Sequence, residues 1–290
     1  MIKEIFSTLS LAGLMLTSQA SYANTTGPLS IDTQAGKPLW ELGVFSAGFR
    51  GPMYPAAKDS QNKFIPVPLV IYRGKTIRLG DDSFVKAIAV EKERFKLDVS
   101  LSGAFNADSE DSRVREGMPD LDFMFEIGPE ASFLLTDNLF LEHSHELWLK
   151  LPLRSVFSTD FSAVDHQGYV FQPELAFTVD DLFAEQSRFF ASVAPIFTTD
   201  KTQAYFYDVE LPYVTAERAF YQSKGGYLGT ELSIANSIEL NNEWMLFTAA
   251  QIGFWQGAKN ASSPLHQQNV TYSIALGVKW TWLVSEERVR

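Results

Sequence analysis

Residues 271–282 alternate without a miss. Tyr272, Ile274, Leu276, Val278, Trp280 and Trp282 fall on one side, and Thr271, Ser273, Ala275, Gly277, Lys279 and Thr281 on the other. Successive side chains of an extended strand point to opposite faces. The stretch therefore presents an apolar face with rings at both ends and a second face that is small, polar or charged. A sandwich strand also alternates, so the pattern gains its weight by repetition. Phe95, Leu97, Val99, Leu101 and Phe105 interleave with Arg94, Lys96, Asp98, Ser100 and Ser102. Leu121, Phe123, Phe125, Ile127, Ala131 and Phe133 interleave with Asp122, Met124, Glu126, Glu130 and Ser132. Leu147, Leu149, Leu151 and Leu153 oppose Glu146, Lys150 and Arg154; Tyr169, Phe171, Leu175 and Phe177 oppose Gln172, Glu174 and Thr178. Charges in the middle of strands are costly in a dry core but tolerable in a hydrated lumen. The pattern predicts an all-β chain: an antiparallel transmembrane β-barrel, apolar towards lipid and polar inside.

The start of the chain fits export. Lys3 gives a short positive region, residues 5–16 are mostly apolar, and Ser21-Tyr22-Ala23 offers the small-x-small pattern of a cleavage site. The apolar stretch is too short for a spanning helix, and no later segment holds some 18 uninterrupted apolar residues. The 23 Phe, 10 Tyr and 6 Trp suit interfacial girdles. With no cysteine, zinc-thiolate sites and cysteine nucleophiles are excluded. A formal net charge of −11 argues against a nucleic-acid partner. No phosphate-binding glycine motif or HExxH is present, and no cofactor or metal is expected.

The expected strands are 39–50, 64–72, 76–80, 83–90, 94–106, 120–135, 139–156, 168–179, 187–199, 226–238, 243–256 and 269–283. Bacterial single-chain barrels have an even number of strands, short periplasmic turns and longer outer loops. Twelve strands place the connections 51–63, 107–119, 157–167, 200–225 and 257–268 outside, and ten is the alternative. The organisation expected is a signal peptide over 1–23, a periplasmic lead-in over 24–37, the barrel over 38–285 and a charged, frayed tail over 286–290. Pro66, Pro68, Pro173 and Pro195 fall within expected strands and predict bulges or local irregularity.

Tyr54-Pro55, then VPLVIYR over 67–73, GMPDLD over 117–122, LPLRSV over 151–156, GYVFQPEL over 168–175 and Ser263-Pro264 run in an order that resembles the MipA/OmpV family of Gram-negative outer-membrane proteins. The resemblance spans about residues 40–282. It implies an outer-membrane barrel and, for some members, a scaffold joining a murein-degrading lytic transglycosylase to a murein synthase. Other members look like osmotically regulated or adhesion-related proteins. Barrels of this kind commonly finish on an aromatic residue, whereas this chain continues past Trp282.

Three groups of residues invite a functional reading. Arg94, Lys96, Asp98, Asp122, Glu126, Glu130, Glu146, Lys150, Arg154, Glu174 and Lys279 face the expected lumen. They suit a selective pore or a solute site, but in so narrow an interior a structural ion-pair network is favoured, with Arg154 set against Glu126 or Glu174. His143-Ser144-His145 places two imidazoles on one face and the hydroxyl on the other, which disfavours a Ser/His catalytic arrangement. Asp108, Glu110, Asp111, Glu116 and Asp120, interrupted by Arg113 and Arg115, could hold a divalent cation bridging lipopolysaccharide phosphates. A solvated charge run is favoured there, and His166 and His266 read as surface residues. On the periplasmic side, Asp180, Asp181 and Glu185 ring an exposed Leu182 and Phe183, a candidate docking spot.

The sequence thus reads as a Gram-negative outer-membrane barrel of the MipA/OmpV type, a non-enzymatic scaffold in contact with lipid and lipopolysaccharide, with a lytic transglycosylase and a murein synthase as protein partners. A narrow pore or adhesin is the alternative, and an outer-membrane hydrolase the third.

Overall fold

The computed structural model describes residues 37–73, 78–79, 90–92, 94–137 and 143–289. The expected signal peptide, nearly all of the lead-in, and most of the third and fourth expected strands lie outside them. Each alternating segment becomes a strand: β2 (Trp40–Pro52), β3 (Ser60–Arg73), β6 (Phe95–Ala104), β7 (Phe123–Asp137), β8 (His145–Thr159), β11 (Ser187–Thr198), β12 (Gly226–Glu239), β13 (Trp244–Phe254) and β14 (Val270–Val284). Short pieces complete the set: β1 (Lys37–Pro38), β4 (Arg78–Leu79), β5 (Val90–Lys92), β9 (Val164–Phe171), β10 (Glu174–Asp180) and β15 (Arg288–Val289). All pairings are antiparallel, in the order β4-β3-β2-β14-β13-β12-β11-β10-β8-β7-β6-β5, with β9 also lying between β8 and β11. The first strand after the lead-in is thus paired with the last, β2 with β14, as closing a barrel requires. The seam between β4 and β5 falls on residues 80–89, outside the described residues, and so does the choice between twelve strands and ten.

The alternation has its expected consequence. Val70, Val99, Ile127, Leu153, Leu175, Val193, Leu232, Ile234, Ile274 and Leu276 are exposed on the outer face, whereas Phe45, Ala47, Val67, Ala176, Phe190, Ala235 and Phe247 are buried inside. Side chains that are this apolar and this exposed form a belt suited to lipid, with backbone groups satisfied by the ladder. Trp244 and Phe254, at opposite ends of β13, both point outward. At about 3.4 Å per residue and a tilt near 45° they are separated by roughly 24 Å along the membrane normal, the height of such a belt.

Several expectations are corrected. The connections 51–63 and 157–167 are much shorter than expected, because β2 and β3 pair out to Pro52 and Ser60, and β8 and β9 out to Thr159 and Val164. The second hairpin closes on Asp160, whose carboxylate accepts from the Ser162 and Ala163 N–H groups. Within 200–225 the chain forms helix α1 (Asp200–Tyr207). The register runs through Pro66 and Pro68 with no shift. At Pro66 and Pro68 the only described neighbour of β3 is β2, and an edge position of this kind tolerates proline. Pro173 does interrupt a strand, in the gap between β9 and β10, and a shift follows Pro195 between Ile196 and Phe197. The tail is not frayed: β15 pairs with β1, and Ser285 exchanges hydrogen bonds with Trp40.

Candidate functional site

The barrel interior has two unlike walls. Strands β11, β12, β13, β2 and β3 contribute Phe190, Ala235, Phe247, Phe45, Ala47, Ile65 and Val67 to an apolar cluster that Phe123 of β7 and Ala176 of β10 complete. The opposite wall, on β6, β7, β8 and β10, carries the charges. Arg154 Nε donates to Glu126 at 2.8 Å, and its other nitrogens reach Gln172 at 2.6 Å and Ser100 at 3.4 Å. Gln172 in turn donates to Glu231 of β12 at 3.2 Å, carrying the network across the barrel. Lys150 lies 3.6 Å from Glu174, and the Ser132 hydroxyl donates to Glu130. Arg154 owes its position partly to Gly128. A Cβ there would come within 2.7 Å of Arg154 Cα, so only glycine lets β7 pass this close to β8.

The remaining expected lumen residues divide. Lys96 sits 4.6 Å above the Trp148 ring, and Trp148 donates to Glu146. Asp98 is buried, and Lys279 approaches Glu41 at 3.9 Å. Arg94 does not face the lumen; it is exposed at the turn end, 3.6 Å from Asp137 and bonded to the Leu134 and Leu135 carbonyls. Asp122 lies at the opposite end, its N–H bonded to the Tyr205 hydroxyl at 2.6 Å. Gln172 falls on the inward face as the alternation places it, whereas Glu231 and Glu41 are absent from the expected set. Glu231 shares a face with Ser233 and Ala235, interleaved with the outward Leu232 and Ile234, so alternation alone finds it.

The end away from the termini is covered by a cap. Its loops form a second hydrophobic cluster, with Met53, Tyr54, Ala57, Ala107, Leu121, Phe206, Val209 and Trp255 packed around Tyr207 and Leu265, both 0% exposed. In the acidic loop Asp108, Glu110, Asp111, Glu116, Asp120 and Arg113 are exposed, as a solvated charge run requires, and the one departure is Arg115. Arg115 is buried, bonded to Ser109, to the Phe206 and Pro119 carbonyls, and stacked 5.6 Å from the Tyr54 ring centre. Asp120 accepts from the Ser109 N–H, and Asp59 from the Ser112 hydroxyl. Arg218 donates to the carbonyls of Tyr213, Val114 and Glu116. Tyr54 donates to the Leu265 carbonyl and Tyr207 to that of Pro55. Burial lifts both phenols well above their ordinary range, and lowers Arg115. Tyr205 is pushed up to about 12 by burial and by the Asp122 carboxylate.

Gly168 joins cap to barrel. Its φ is left-handed, at +100°, and a Cβ there would come within 2.9 Å of Thr202 on α1. Neither loop histidine is a free surface residue. His266 is half-buried beside Tyr207, and His166 packs edge-on to Phe157 and Tyr169. His145 is buried with Nδ1 2.9 Å from its neighbour's carbonyl at His143. Among the described residues no cluster of His, Asp or Glu could hold a metal ion.

A family model described as MltA-interacting protein MipA matches residues 43–282, from the start of the barrel to its last strand. The chain belongs to the MipA family. Together with the lipid belt, this makes the MipA-family chain an outer-membrane β-barrel. No curated protein matches it. Among solved structures it is similar to the NanC porin, at 10% identity and a TM-score of 0.38, over 83% of this chain and 100% of that one. It is also similar to an outer membrane channel from Pseudomonas putida F1, at 7% identity and a TM-score of 0.43, over 88% and 100%. A third is OprB of Pseudomonas putida, at 7% identity and a TM-score of 0.37, over 84% and 94%.

Proposed function

We propose that this MipA-family barrel is a non-enzymatic scaffold that holds an MltA-type lytic transglycosylase at the outer membrane, with a murein synthase as a further partner. The observation that carries the reading is the cap. Loops that pack around fully buried Tyr207 and Leu265 cover the barrel mouth, which suits an interaction protein better than an open pore. The family description, MltA-interacting protein, supports the partner. Lipid and lipopolysaccharide surround the belt in this reading.

Murein enzymes work in the periplasm, so the docking surface belongs at the turn end, where the paired strands β1 and β15 lie. The turn 181–186 presents Phe183, 66% exposed and edge-on to Phe189, beside Asp181 and Glu185. Two details differ from the sequence expectation: Leu182 is half-buried, and Asp180 is held by Arg188 at 2.6 Å. A patch this small falls well short of the roughly 800 Å² per partner of a stable interface, so residues 24–36 complete it.

Affinity capture from cross-linked envelopes tests the reading. The parent is expected to retain a lytic transglycosylase, and a Leu182→Ser, Phe183→Ser variant to retain less with its barrel intact. Capture of no murein enzyme by the parent would sink the scaffold. A narrow pore is the second reading, favoured by the interior cavity of about 420 Å³; steady single-channel conductance with the cap intact would put it first.

A further inference from the structure

We propose that the cavity between the charged wall and the cap binds a small organic cation, an ammonium or guanidinium group joined to an apolar body. The inference stands apart from partner docking and holds whether or not a murein enzyme is captured. The cavity measures about 420 Å³, within the range of small-molecule sites.

Its charge is lopsided. Asp122, Glu126, Glu130, Glu174 and Glu231 line it against only Lys150 and Arg154. Two of the five carboxylates are taken up by the cations, Glu126 by Arg154 and Glu174 by Lys150. Glu130 and Glu231 are met by neutral donors, the Ser132 hydroxyl and the Gln172 amide. A half-buried carboxylate whose direct hydrogen-bond partner is a neutral donor is further stabilised by a donor carrying positive charge. An anionic ligand would add to the surplus, and a neutral one would leave it in place.

The rest of the lining fixes the other half of the ligand. Phe190, Phe247, Met124 and Trp255 face the same space, offering an apolar wall to a ring or chain. Thr198 supplies an independent sign that something polar is accommodated. It lines the cavity, is more than nine-tenths buried, and its hydroxyl has no hydrogen-bond partner among the described residues. Buried hydroxyls are nearly always paired, so an unpaired one at a cavity wall marks a place for a ligand's polar atom. Glu231 pairs across the ladder with Ala194, and Thr198 lies four residues further along β11. At about 3.4 Å per residue the two are on the order of 13 Å apart, so the ligand is elongated along the barrel axis.

Calorimetric titration of the full chain in lipid nanodiscs, with empty nanodiscs subtracted, tests this with three matched probes: 2-phenylethylammonium, 3-phenylpropionate and 2-phenylethanol. The cation is expected to bind about tenfold more tightly than either of the others, since the site's carboxylates discriminate by charge. Glu231→Gln and Glu130→Gln should each weaken it about fivefold, the scale of one charge-assisted contact. Ala194→Phe, which fills the cavity from β11, should remove binding. Each variant is first checked for the heat-dependent gel shift of a folded barrel, and the two glutamine variants keep the question open to decision if the phenylalanine variant does not fold. Equal affinity for the three probes, no binding of the cation by the parent, or parental affinity in both glutamine variants would overturn the proposal.

Discussion

The cap and the lumen bury polar groups by opposite means. In the cap, the arginines and tyrosines bond mainly to backbone: Arg115 reaches two carbonyls, Arg218 three, and Tyr54 and Tyr207 one each. In the lumen, side chains bond to side chains: Arg154 to Glu126 and Gln172, Gln172 to Glu231, and Lys150 to Glu174. The difference follows from the backbone. A strand in a closed sheet has spent its N–H and C=O groups on the ladder, so its inward charges must find one another. A loop has no ladder, and its buried carbonyls must be met by side chains long enough to reach them. Where backbone is irregular, arginine and tyrosine replace the missing strand.

Breaking the cap at its centre should have the largest effect. Tyr207→Ala removes a fully buried ring and its bond to Pro55, and is expected to cost about 3–5 kcal/mol. Hydrogen exchange should rise over 107–121 and 255–268 while β12–β14 stay protected. Loss of protection throughout would mean that cap and barrel are one cooperative unit, and the comparison would fail. Arg218→Ala comes next, at about 2–3 kcal/mol, since three carbonyls lose a charged donor. Limited proteolysis within 205–222 is the readout, and an unchanged cleavage rate would show that water replaces the guanidinium at no cost.

The lumen should respond less, and in pairs. Arg154→Met is expected to cost about 1–2 kcal/mol in urea-induced unfolding from lipid, tempered by partial hydration of Glu126. Adding Glu126→Gln should recover part of that loss, because it removes the carboxylate left alone. Arg218 offers no such rescue by any single side-chain change, since its partners are carbonyls. Strict additivity of the Arg154 and Glu126 substitutions would refute the side-chain-to-side-chain description.

The smallest effect belongs to the turn at Asp160. Ser162 and Ala163 hold its carboxyl down to about 2, below its ordinary 3.8. Because the folded value is the lower one, its contribution is present above pH about 3.8 and is lost as pH falls through about 2. Asp160→Asn should flatten local exchange at residues 160–163 over that interval and leave the strands unaffected. A pH response that persists in the variant would place the titration elsewhere.

These two regions were also unequally legible. The barrel is written in local sequence. Alternation names the inward and outward residues of the strands that carry inward charges, and it holds Glu231 as clearly as Glu126. The cap has no such period. Tyr54 meets the carbonyl of a residue 211 positions away, and Arg218 one that is 104 away. Nothing near Arg115 in sequence distinguishes it from Arg113, yet one is buried on Tyr54 and the other is exposed. A run of acids and arginines reads as solvent-facing because its carbonyl partners lie in other loops. The lumen's apolar wall was hidden for a different reason: an inward Phe45 or Phe247 looks, by hydropathy alone, like a residue for lipid.

Trp244 of β13 and Trp280 of β14 face each other across the ladder, with ring centres 5.5 Å apart and planes 10° from parallel, and Trp282 sets its ring edge-on to the second. Indoles held this close share their electronic transitions. The β13–β14 hairpin therefore carries its own optical signature, a paired positive and negative band in circular dichroism that exists only while both strands are in register. Following that signal during insertion into vesicles would time the registration of this hairpin separately from the growth of β-structure as a whole, with no label added to the chain.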